Sequence, residues 1–166
     1  MTTRIFAWLK HSGFMLLPLV VAITVTAQPA DDPVLDTQAL SETLTHTERD
    51  ITDRVRDEQR KPVQVLQFLG LKPGMTALDV YAAGGYFTYV LSKAVGPAGT
   101  VLAQNSPRAL RYDEDRSDIT QGDALAQKIN TGRLSNVVRI DRPVDDMALS
   151  PASVDFILLS QILHDY

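Results

Sequence analysis

The stretch that most constrains this 166-residue chain is Leu78–Ser92, LDVYAAGGYFTYVLS. Thr76-Ala77-Leu78-Asp79-Val80-Tyr81 is short and mostly apolar, as expected of a strand covered on both faces. The adjacent glycines Gly84 and Gly85 follow. Phe87, Val90, Leu91, Ala94 and Val95 then trace one face of a helix that Gly96-Pro97 ends. Upstream, Gly70-Leu71-Lys72-Pro73-Gly74-Met75 closes an earlier helix, with Pro73 and Gly74 suited to the centre of a tight turn. A strand, a glycine turn and a helix in that order call for a parallel sheet layered with helices.

The rest of the chain extends this pattern. Thr100–Gln104, Val137–Ile140 and Val154–Leu159 read as three more strands, each separated by helical or loop sequence. Ahead of the sheet, Leu40, Leu44, Ile51 and Val55 recur at helical spacing, with Glu48, Arg49, Asp50, Asp53 and Arg54 on the other faces. One amphipathic helix with that apolar stripe inward is expected. The charged run Arg56–Lys61 reads as a solvated hinge, and Pro62 opens a second helix carrying Val63, Leu66 and Leu69 inward.

Composition narrows the partners. A formal charge of −4 gives no general attraction to phosphates, so no nucleic-acid partner is expected. Cysteine is absent, and His11, His46 and His164 are far apart, so no metal site is expected. Arg4 and Lys10 precede an apolar stretch, Phe14–Val25, too short to span a bilayer, and Val25-Thr26-Ala27 has the small-x-small form of a cleavage site. The reading is a secretory signal removed after Ala27, giving an exported, periplasmic or secreted chain with no stable membrane span. Loss of Arg4 and Lys10, with no acidic residue, moves the charge from −4 to −6. The expected organisation is a signal over 1–27, a helical segment over 28–70 and the sheet domain over 71–166.

Two ligand classes use a glycine turn at a strand exit. Dinucleotides want G-x-G-x-x-G and an acidic residue about twenty positions on. Here Thr88 stands where the further glycine belongs, and the second strand ends in Asn105. A carboxylate just before the turn, Asp79, instead has an electrostatic reason to exist if the ligand carries an ammonium group, as S-adenosylmethionine does.

Residues Arg56–Tyr166 resemble a class I S-adenosylmethionine-dependent methyltransferase of a bacterial group of predicted methyltransferases. The resemblance rests on Arg60-Lys61-Pro62, Leu71-Lys72-Pro73-Gly74-Met75, Asp79 with Gly84-Gly85-Tyr86-Phe87-Thr88, and Ser153-Val154-Asp155. It implies a Rossmann-like parallel sheet preceded by N-terminal helices. The family's fold has seven strands and four are readable here, so a domain incomplete at its C-terminus is expected.

The resemblance also implies roles. Asp79 would hold the methionine end of S-adenosylmethionine, and the turn Tyr81, Ala83, Gly84 and Gly85 would lie against it. Most families carry glycine where this chain has Tyr81 and Ala83. Asn105 stands in for the acidic residue that grips the ribose. Asp145 or Asp146 would accept from the adenine amino group, with Asp141 as a rival. His164, beside Asp165, would act as a general base or merely line the pocket. The implied activity is methyl transfer to a small-molecule acceptor; the alternative is a non-catalytic exported domain binding a partner or another metabolite.

Overall fold

A computed structural model describes residues 32–113 and 119–160. The expected signal, its cleavage point after Ala27, and the pair His164 and Asp165 lie outside the described residues.

Helix α1, Thr37–Thr45, starts where the Asp36 carboxylate accepts from the amide of Ala39, satisfying one of the free donors of a helix N-terminus. The single helix expected through Val55 is interrupted. Asp50 caps a new start by accepting from Thr52, and α2 runs over Ile51–Arg60. The break re-aims the second helix: Ile51 and Val55 are 60% and 68% exposed, whereas Asp53 is buried. The inward stripe of α2 is charged. Likewise, the run over Arg56–Lys61 is no solvated hinge, because it carries Asp57 and Arg60 into contacts described below.

Lys61, at φ 44°, turns the chain into α3, Pro62–Phe68, with proline at the first helical position. Leu66 is fully buried and Val63 is partly so, but Leu69 is exposed. The reason is the helix stop. Gly70, at φ 74°, donates to Gln67 O and Leu71 donates to Leu66 O, which reverses the chain and drops Leu71 into the core in place of Leu69.

The sheet contains β1 (Thr76–Val80), β2 (Thr100–Asn105), β3 (Val137–Asp141) and β4 (Phe156–Leu159) in the order β3-β2-β1-β4, all parallel. Helix α4 (Tyr86–Val95) crosses from β1 to β2, and α5 (Gln121–Thr131) crosses from β2 to β3. Asp155 locks β4 to β1 at the amino edge, its carboxylate accepting from Thr76 N and its own amide donating to Thr76 O. One sheet face, with Ala77, Val101, Phe156 and Leu158, packs with Leu40, Leu44, Leu66, Val90, Leu91 and Val95. At about 2 kcal/mol for each large apolar side chain removed from water, this layer holds the helices to the sheet. On the edge strands the opposite face leaves Val138 and Ile157 more than half exposed.

The chain moves outward from β1 through β2 to β3, then returns to place β4 on the other side of β1. The carboxyl edge between β1 and β4 is therefore where the winding reverses, the place where open α/β sheets bind ligands. The glycine turn leaves β1 at that edge. Among the described residues, no helix is long and apolar enough to cross a membrane.

Candidate functional site

The turn after β1 alternates through the left-handed region: Tyr81 at φ 55°, Ala83 at φ 49° and Gly85 at φ 86°. Only the last is a glycine. A non-glycine residue pays about 1 kcal/mol or more for this conformation. The turn is held by the end of β2. Tyr81 N donates to Gln104 Oε1 at 3.0 Å and Ala82 N to Gln104 O at 2.9 Å. Ala83 N donates to Asn105 Oδ1 at 2.9 Å, and Asn105 Nδ2 donates back to Ala83 O at 3.1 Å. Gly85 needs its lack of a side chain for a second reason, since a Cβ there would sit 2.7 Å from Leu125 Cδ1 of α5. Gly84 is buried beside it.

Asp79 lies below the turn, in β1, and is 3% exposed. Its carboxylate accepts from Thr88 Oγ1 at 2.7 Å and from the Thr88 amide in the first turn of α4. None of these contacts is a cation. Burial penalises the ionised form, and despite the Thr88 hydrogen bonds the pKa is pushed up to about 7. A carboxyl group that titrates near neutrality, buried under a main-chain turn, is the distinctive electrostatic feature of this edge.

The other residues expected at the site are placed as follows. Asn105 is fully buried, with both ends of its amide on Ala83. Asp145 and Asp146 are exposed on a short 3-10 turn, Val144–Asp146, after β3. Asp146 accepts from Arg142 at 2.7 Å, and Asp141 accepts from Arg139 at 2.9 Å. His46 sits exposed at the end of α1.

A cluster of charged residues was missed by the apolar pattern. Arg49, 5% exposed, makes a two-pronged ion pair with Asp57 at 2.5 and 3.0 Å and lies 5.5 and 5.3 Å from the ring centroids of Tyr86 and Tyr89. Tyr86 Oη donates to Asp57 at 2.6 Å, and Arg60 stacks on the same ring at 4.4 Å. Burial together with that hydrogen bond raises the Tyr86 pKa. Asp53 pairs with Lys128 of α5. The signal was in the sequence: Arg49, Asp53, Asp57 and Arg60 recur at helical spacing. These contacts dock α2 onto α4 and α5 beside a polar cavity of about 780 Å³ that reaches Gly84 but not Asp79. In its wall, burial lowers the pKa of Lys93, whose ammonium donates to Gly132 O.

Known proteins bear on this geometry. The family model for protein-L-isoaspartate(D-aspartate) O-methyltransferase matches residues 60–133, from the end of α2 to just past α5. Among solved structures, the chain is similar to an S-adenosylmethionine-dependent methyltransferase from Aquifex aeolicus, with 29% identity and a TM-score of 0.52 over 74% of this chain and 55% of that one. A protein-L-isoaspartate O-methyltransferase aligns at 19% identity and a TM-score of 0.39, over 51% of this chain and 23% of that one. The chain thus spans about half the length of the Aquifex protein. No curated protein matches it. The parallel α/β architecture expected from the sequence is the one observed.

Proposed function

We propose that this chain, which belongs to the class I S-adenosylmethionine-dependent methyltransferases, binds that cofactor over the turn Tyr81–Gly85 and directs its methyl group to a carboxylate oxygen. The observation that carries the reading is Asp79, a buried carboxylate directly beneath a main-chain turn and, among the described residues, with no cationic contact. An ammonium group arriving at this edge supplies the missing counter-charge, in surroundings where an ion pair is worth more than in water. Gly84, in the wall of the cavity, presents main chain without a side chain, so a ligand approaches closely. Asp146 is engaged by Arg142, and we assign the adenine amino group to the exposed Asp145. In this reading Asp79 meets the amino-acid end of the cofactor and Asp145 its adenine end.

When bound, S-adenosylmethionine would supply a methyl group to an acceptor oxygen, the O–C bond forming as the C–S bond breaks and the sulfonium leaving as the neutral thioether S-adenosylhomocysteine. The carboxylate acceptor is supported by the matched family description, whose named substrate is an altered aspartate in proteins. Such an acceptor is already ionised at neutral pH and has no proton to remove. The chain's task is then orientation rather than base catalysis, and this reading asks for no general base.

The full chain incubated with methyl-labelled S-adenosylmethionine should transfer base-labile label to an isoaspartyl peptide, or to a small carboxylic acid, and not to the matching alcohol. Absence of label from every carboxylate, in a chain that binds the cofactor, contradicts transfer and favours the non-catalytic reading. We also propose that the protein is exported, from the basic and apolar leader before Ala27. Mass spectrometry of the exported chain should find Gln28 first; a retained leader peptide contradicts this.

A further inference from the structure

We infer that Gln104 and Asn105 are positioning residues whose side-chain amides hold the cofactor turn in the conformation that glycine would adopt unaided, and that Asn105 does not grip the ribose. The proposal deepens the cofactor-binding reading above and rests on it. Tyr81 and Ala83 occupy the two positions where the family pattern has glycine, and both keep the left-handed φ. Each is met by one amide from the end of β2. Gln104 accepts from Tyr81 N and donates through Nε2 to Arg142 O at 2.7 Å, tying the turn to the loop that bears Asp145. Asn105 answers both backbone groups of Ala83, accepting from its N–H and donating to its C=O.

The residue type follows from this geometry. Ala83 presents one donor and one acceptor, and the Asn105 carboxamide meets both at once, its oxygen accepting and its NH2 donating. A carboxylate at 105 would still accept from Ala83 N but would set an oxygen against Ala83 O. Both amides are fully buried, so water does not replace a lost bond and its full cost is felt. An acidic side chain at this position, which ought to strengthen a ribose contact, should therefore weaken cofactor binding by distorting the turn.

The test uses the full chain with Asn105→Asp, Asn105→Ala, Ala83→Gly and the pair Asn105→Ala with Ala83→Gly. Hydrogen exchange at the residue 83 amide is read without ligand, and S-adenosylmethionine affinity by calorimetry. Asn105→Ala should speed that exchange and weaken binding, each by about tenfold, and Asn105→Asp should also weaken binding. Adding Ala83→Gly should shrink the loss to about twofold, because glycine holds φ 49° without help. Tighter binding by Asn105→Asp, or unchanged exchange in Asn105→Ala, overturns the proposal. If Asn105→Ala fails to fold, Ala83→Gly alone decides: a raised melting temperature supports the clamp and a lowered one contradicts it. A wild-type chain that binds no cofactor sinks the functional reading, while the exchange rates still decide the clamp.

Discussion

Asp79 sets a pH dependence that can be read without any ligand. Unfolded, its carboxyl ionises near 3.8; folded, it holds its proton to about 7. Between those values the folded chain binds more protons, so its contribution to stability is full below about pH 4, falls as pH rises and is lost above about pH 7. The gap sets a ceiling of about 4 kcal/mol. Urea denaturation at pH 5 and pH 8 should show wild type losing stability relative to Asp79→Asn on going to pH 8; a constant difference between the two contradicts the burial argument. Gly85→Ala should cost about 2 kcal/mol, from the positive φ and the clash with Leu125 together, read as a lowered urea midpoint. At this scale the sequence was legible where chemistry shows in residue type: the glycine pair and the acid before it. The direction of the Asn105 side chain was not, because an amide at a strand end reads equally as a ligand contact or a backbone clamp.

Among the elements, α2 is the instructive one. Its position was legible from periodicity, but its orientation was not, since Ile51 and Val55 continue the spacing of Leu40 and Leu44 across a break that only the Asp50 cap reveals. Hydrophobic periodicity assumes that the buried face is apolar, and here that face is charged and satisfied by partners distant in sequence, such as Lys128 and Tyr86. Arg49→Ala removes both prongs of the Asp57 pair and leaves a partly buried carboxylate without its guanidinium partner. It should cost about 3 kcal/mol in a urea titration and speed proteolysis within residues 37–60. A change below 0.5 kcal/mol contradicts the view that this cluster anchors α2. The four strands were readable because each is a short apolar run bounded by turn residues, and all four are found.

For the molecule as a whole, strand order decides where a ligand goes. The order β3-β2-β1-β4 could not be read from spacing alone, yet it puts the winding reversal next to β1, above Asp79. Cofactor binding here depends on that buried acid meeting the cofactor's cationic end. Calorimetric titration of S-adenosylmethionine into wild type and Asp79→Asn at pH 6 and pH 8 tests it directly. With a pKa of about 7, Asp79 is about one-tenth ionised at pH 6, so wild type should bind up to about tenfold more tightly at pH 8, while Asp79→Asn should bind weakly and equally at both. Equal wild-type affinity at the two pH values, matched by Asp79→Asn, would contradict the claim.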